Sequence, residues 1–212
     1  MVRNLNRRSA SRPAAARGSG RRERKALAVR QGILRAAARV FRRRGFAATG
    51  MREIAREADL SPGNLYYYFA SKHELLYFCQ DHSLDRMLGT VRAPRAARLG
   101  PDRRLERVIR AHLACMLDEL DGAAAHTEVD AMPAPLKAKI VAKRDRYERA
   151  VREIVERGVR TGAFVPCDPR LVTRALLGAL NWTARWYRPG GEQPPAAVAD
   201  AFAAYLVRGL RR

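Results

Sequence analysis

Apolar residues recur at helical spacing along most of this chain of 212 residues. From about Glu23 to Arg44 the stripe is Leu27, Ile33, Leu34, Ala37, Val40 and Phe41, and Gly45 ends the run. Thr49 or Gly50 opens the next helix. Ser61 is a good N-cap with Pro62 at the first helical position, where its missing N–H costs nothing. Ser71 to Glu74 has the form of a capping box and starts a fourth helix that carries Leu75, Leu76, Phe78, Cys79 and Leu84.

Past a loop at 93–101, Leu105, Val108, Ile109, Leu113, Met116 and Leu117 predict a helix from Asp102 to about Leu120. Residues 122–135 read as a short helical turn and a break. A long helix follows from about Leu136 to Gly162, with Ile140, Tyr147, Val151, Ile154, Val155 and Val159 on one side. Two more run from Asp168 to about Tyr187 and from Ala196 to Leu210, separated by a turn at 189–195. No segment alternates with the period of a strand and no repeat is visible, so the expected fold is all-α with about nine helices.

The segment from Thr49 to Leu76 carries the chemistry. Counted from Met51, the fifth position is Ala55, small enough for two helices to cross closely, and the ninth is Asp59, where the chain reverses. A reversal of this kind favours left-handed backbone, which Asp tolerates better than most side chains. The fifteenth position, Leu65, pins the second helix back onto Ile54, Ala58 and Leu60. This is the pattern of a helix-turn-helix whose second helix protrudes. Between Pro62 and Phe69 the outward positions are Gly63, Asn64, Tyr67 and Tyr68. Gly63 lets backbone approach a base, Asn64 can bond a base edge or a phosphate, the tyrosine hydroxyls reach phosphates, and Lys72 adds a charge.

Charge strengthens this picture. The formal net charge is +21 and the sequence pI is about 11.3, a balance that suits polyanions. Residues 1–25 hold nine basic groups against Glu23 alone, and residues 26–72 hold nine against Glu53, Glu57 and Asp59. Residues 1–22 have little apolar pattern and are expected to form a mobile basic tail. Residues 23–71 are expected to form the DNA-binding unit and residues 72–212 a second helical domain. Cys79, Cys115 and Cys167 have no metal or redox spacing, and their odd number argues for a reducing cytoplasm. No apolar run is long enough to span a bilayer, so no membrane role is expected. His73, His82, His112 and His126 are scattered, without paired metal spacing, phosphate loop or nucleophile motif. The catalytic and metal sets are therefore empty, and no cofactor is expected. Two other readings stay open at this level: a non-specific basic nucleic-acid-binding protein, and an enzyme acting on CoA thioesters.

The stretch from Ala26 to Leu76 resembles the N-terminal domain of TetR/AcrR-type transcriptional regulators. The residues that carry the resemblance are Gly45-Phe46, Thr49, Arg52, Ile54, Ala55, Ala58, Ser61, Gly63, Leu65, Tyr66, Phe69, Ser71, Lys72 and Leu75. It implies a homodimer that binds double-stranded operator DNA, most often as a repressor, and is released by a small-molecule effector held in the C-terminal domain. It further implies Thr49, Arg52, Ser61, Gly63, Asn64, Tyr66, Tyr67 and Lys72 as DNA contacts. Gly50 and Asp59 depart from the family's usual Ser or Thr and usual Gly.

Leu136–Glu148, Gly158–Phe164 and Leu176–Gly191 are similar to the branch of acyl-CoA-responsive regulators. As in the family, the last two helices are expected to form an intersubunit bundle through Leu176, Leu180, Phe202 and Leu206. Effector contacts are expected from Leu113, Met116 and Tyr147, with Trp182 and Trp186 near the seam. Arg185 or Arg188 is placed to meet a CoA phosphate.

Overall fold

The computed structural model describes residues 14–93, 98–117, 129–188 and 190–212, with side chains from residue 25 onward. Among them are eight α-helices: α1 (Ala14–Arg44), α2 (Met51–Glu57), α3 (Pro62–Tyr68), α4 (Lys72–Arg92), α5 (Pro101–Leu117), α6 (Ala134–Arg160), α7 (Pro169–Trp186) and α8 (Pro195–Arg208). A single 3-10 turn spans Val129–Ala131. The described residues hold no strand, only an isolated antiparallel bridge between Phe164 and Arg211.

Most helix ends fall within two or three residues of the positions the caps predict. α1 is the exception, because it begins at Ala14 rather than near Glu23 and takes in part of the expected tail. Three consecutive alanines and several arginines at its start are strong helix formers, and that propensity outweighs the lack of an apolar stripe there. The rest of the expected tail, residues 1–13, and the turn expected at 122–128 lie outside the described residues.

Two bodies share α4. In the first, Ile33, Ala37, Val40 and Phe41 of α1 pack with Ile54 and Ala55 of α2, Leu65 of α3, Phe69, and Leu75 and Leu76 at the start of α4. Leu27, expected in the α1 stripe, is instead exposed, since it lies before the turn of α1 that α4 covers. In the second body, the far half of α4 (Leu84, Met87, Leu88, Val91) packs against α5 and α6, while α8 lies along α5 and α7 bridges α5 and α6. One helix therefore connects the helix-turn-helix end to the rest of the protein without a hinge inside it.

The α6–α7 corner is close-packed. Phe164, almost fully buried, lies flat against Gly158, and a Cβ at that glycine would overlap the ring. The Phe164 N–H donates to the Gly158 carbonyl (3.1 Å), and Val165 N–H donates to Leu210 O (2.8 Å), which ties the end of α8 to this corner.

Candidate nucleic-acid interface and effector cavity

The reading helix is set by its turn. Asp59 is the one non-glycine residue with positive φ (+56°) among the described residues, as the reversal requires. Ser61 caps α3, its hydroxyl accepting from Asn64 N–H at 3.2 Å. Gly50 caps α2 without any side-chain hydrogen bond, as expected from its departure from Ser or Thr. Ser71 Oγ accepts from Glu74 N–H (3.2 Å), while the Glu74 carboxylate accepts from Ala70 N–H (2.7 Å), one residue earlier than a standard box.

With Leu65 buried, α3 presents Gly63, Asn64, Tyr66 and Tyr67 to solvent, and Tyr67 is 84% exposed. A Cβ at Gly63 would meet nothing within 4 Å, so the fold itself does not demand a glycine there. Tyr67 stacks edge-on against Tyr68 (5.1 Å between centroids). Arg52 on α2 is exposed and makes no ion pair among the described residues. Ser61 is exposed as well.

Thr49 and Lys72 face inward instead. Thr49 is 3% exposed, and its hydroxyl donates to Gly45 O at 2.7 Å. The Lys72 ammonium donates to the carbonyls of Phe46, Ala47 and Thr49 (3.1, 3.1 and 3.2 Å) and lies 4.7 Å from the centre of the Phe46 ring. An ammonium has three donors, so all are engaged. Both side chains hold the α1–α2 loop. Other arginines are likewise committed internally. Arg39 and Arg43 clamp Glu57 (2.7 and 2.6 Å) and hold its carboxyl below the usual range, and Arg44 reaches Glu53.

Charge also joins α4 to α6. Lys143, 8% exposed, pairs with Asp81 and Asp85 (2.9 Å to the latter) and donates to Asp81 O at 3.2 Å. Arg144 donates to Gln80 at 3.1 Å. Beside this tie a cavity of about 270 Å³ opens between α4, α5, α6 and α7. Leu84, Met87, Met116 and Leu177 give its apolar wall, and His112, Tyr147, Arg144, Asn181 and the carboxylates Asp145 and Glu148 its polar one.

Of the expected effector residues, Met116 and Tyr147 line this cavity, and Leu113 is buried without lining it. Trp182, Trp186 and Arg185 do not line it. The two tryptophans are 64% and 44% exposed on another face of α7, because the helix turns them about 100° or more away from Asn181 and Leu177. Arg188 is likewise exposed and its guanidinium donates to Arg185 O. His112, Arg144 and Asn181 are cavity residues that sequence reasoning missed. One signal existed: His112 sits in register with Leu105, Ile109 and Met116, a polar residue on a core-facing stripe.

On the last two helices, Leu176 (6% exposed) and Leu180 (1%) are already buried within the protomer, and Phe202 and Leu206 are half-buried. Phe202 stacks on the exposed Trp186 ring at 6.3 Å between centroids. The open stripe of α7 is the next one round: Leu171, Ala175, Gly178, Trp182 and Trp186, with Tyr205 of α8 beside it. Among the described residues there is no grouping of three metal-ligating side chains, and no helix is long and apolar enough to cross a membrane.

Comparison with known proteins agrees with this architecture. Residues 33–77 match the family described as bacterial regulatory proteins, tetR family, and residues 98–210 match the tetracyclin repressor-like C-terminal domain. The HTH-type transcriptional repressor KstR2 of Rhodococcus jostii is 30% identical over 187 residues, covering 84% of this chain and 89% of that protein. Among solved structures, the TetR family regulator PfmR from Thermus thermophilus is 32% identical with a TM-score of 0.75, covering 85% of this chain and 99% of that one. The ketosteroid transcriptional regulator KstR2 of Mycobacterium tuberculosis is 26% identical with a TM-score of 0.77, covering 86% of this chain and 95% of that one.

Proposed function

The chain belongs to the tetR family of bacterial regulatory proteins, and from that premise we propose that it is an effector-gated repressor that binds a near-palindromic operator as a homodimer in the cytoplasm. The observation that carries this reading is the outward face of α3. Gly63, Asn64, Tyr66 and Tyr67 lie together on a helix whose angle is fixed by Asp59 and Leu65, and Gly63 has no packing reason to lack a side chain. In a dimer two such helices enter successive major grooves about 34 Å apart. Asn64 reads a base edge, and Arg52, Ser61 and the tyrosine hydroxyls fix the register on phosphates.

The dimer face we assign is the open stripe of α7 with Tyr205 of α8. A row of exposed leucine and tryptophan interrupted by Gly178 gives two copies an apolar and closely approachable surface. Phe202 and Leu206 flank it, and Leu176 and Leu180 support it from within.

The effector site we assign is the cavity between α4, α5, α6 and α7. The resemblance of Leu136–Glu148 and its neighbours to acyl-CoA-responsive regulators favours an acyl effector. Its entry favours a conformer in which α4 moves against α6 and the two reading heads no longer match the half-site spacing. Fluorescence anisotropy on DNA beside the protein's own gene, with excess competitor and a panel of acyl-CoA and free-acid ligands, tests the reading. Tight binding released by a panel member is the expected result. Preference for operator that no acyl ligand alters would discard the acyl effector.

A further inference from the structure

His112 lies on the cavity wall, 3% exposed, in the middle of α5. Its Nδ1 is 3.2 Å from the Tyr147 hydroxyl, and its Nε2 is buried with no hydrogen-bond partner. Asn181, on the same wall, is the side chain that works against the effect of burial on the ring, yet Nε2 itself forms no hydrogen bond. The tautomer follows from counting donors. If Nδ1–H donated to Tyr147, both the tyrosine proton and the Nε2 lone pair would lack partners. If Tyr147 donates to Nδ1, a single group is unsatisfied, the Nε2–H. The second arrangement leaves the cavity with one neutral donor that nothing in the protein satisfies, a costly feature unless something else occupies it.

The surroundings restrict what that occupant is. Leu84, Met87, Met116 and Leu177 require an apolar body. A volume of about 270 Å³ lies at the small end for a ligand pocket, enough for an acyl chain but not for a whole coenzyme A thioester, whose carrier stays outside.

Building on the effector-gated reading, we propose that this cavity is an acyl-oxygen site, in which His112 Nε2–H donates to the carbonyl or carboxylate oxygen of a medium-length acyl group whose chain lies along Leu84, Met87, Met116 and Leu177. His112 thereby selects acyl groups over alkyl groups of equal length. The source of the acyl group is a thioester, with its carrier outside the cavity, or the free acid.

The test is equilibrium binding titration of the full-length protein with two matched pairs: octanoyl-CoA against its thioether S-octyl-CoA, and octanoate against n-octane, which offers no hydrogen-bond acceptor. In at least one pair the acyl member is expected to bind about 10- to 100-fold tighter, the worth of one buried hydrogen bond that its analogue leaves unmade. Which pair discriminates identifies the source. In His112→Phe the preference is expected to shrink to about threefold or less while the alkyl member still binds. Isotope-labelled histidine NMR on the unaltered protein gives a readout independent of that variant's folding: only the acyl member should shift the His112 Nε2 resonance.

Equal binding within both pairs, or a preference that survives His112→Phe, overturns this proposal and leaves the effector-gated reading standing. Binding with His112-dependent preference but no release of operator supports the site and overturns the gating. Absence of binding by all four probes overturns both the site and the acyl effector.

Discussion

Lys72 is the first residue of α4 and bears one of the charges closest to the reading helix, yet its three donors end on three carbonyls of the α1–α2 loop. A lysine in that position in sequence reads equally well as a phosphate contact. Only the return of the loop over α4, a contact across more than twenty residues, separates the two roles. Lys72→Met should therefore lower stability by about 1–2 kcal/mol, or several degrees in Tm, and leave the salt dependence of DNA binding unchanged. Calorimetry and anisotropy at several salt concentrations check this, and a shallower salt slope without loss of stability would make Lys72 a phosphate ligand. His112 offers a second test. Burial lowers its pKa to about 4 from the ordinary 6.5, against a smaller opposing effect of Asn181. Below pH 6.5 the unfolded chain takes up a proton that the folded one refuses, so stability is complete above 6.5 and is lost as pH falls toward 4. The shift corresponds to about 3 kcal/mol. Denaturant unfolding should show this loss in the unaltered protein relative to His112→Phe. Glu57, held down by Arg43 and Arg39, loses its contribution at acid pH in both proteins and cancels in the difference. Parallel pH curves would mean that His112 is already protonated or solvated.

At the scale of the element, sequence and structure agree where local rules dominate. Ser61, Pro62 and Ser71 cap helices where their chemistry predicts, Asp59 takes the left-handed turn, and Gly45 (φ +76°) ends α1. What was not legible depends on which neighbour covers a face. Leu176 and Leu180 on one side of α7 and Trp182 on another are all apolar, and periodicity alone does not say which stripe meets the protomer and which meets solvent. Lys143 and His112 sit in register with core positions, so a charged or polar residue on an apolar stripe was the available signal for the α4–α6 tie and the cavity. The α6–α7 corner depends on a single hydrogen atom. Gly158→Ala pushes a methyl into the Phe164 ring, whose backbone is held by Gly158 and whose neighbour Val165 is held by Leu210. Loss of about 1–3 kcal/mol is expected, read as a drop in Tm. A Phe164→Ala background should absorb much of the added methyl's cost, and an unchanged penalty there would rule out the ring as its cause.

Over the whole molecule, the positive charge and the reading surface do different work. Four arginines (Arg3, Arg7, Arg8, Arg12) precede α1, and the sequences of α1 and α2 carry further arginines. Such charge strengthens binding to any duplex, whereas preference resides in the face of α3. Removing residues 1–13 should weaken binding to all DNA and reduce the slope of log K against log salt by up to about 3.6, at ~0.9 per phosphate contact, while operator preference survives. Loss of preference along with the tail would favour a non-specific basic DNA-binding protein. The all-α class and the helix-turn-helix were legible because each rests on periodicity and capping within one segment. The cavity was not, since it is assembled from four helices separated by up to about a hundred residues.

The most direct test of the central claim is selection from a random-sequence duplex pool, carried out in parallel with the unaltered protein and with a variant carrying Asn64→Ala and Tyr67→Ala. The unaltered protein is expected to enrich an inverted repeat whose half-sites lie about one helical turn apart, and the variant to bind without enriching it. No enrichment by the unaltered protein, or the same repeat enriched by both, would contradict the assignment of DNA reading to α3.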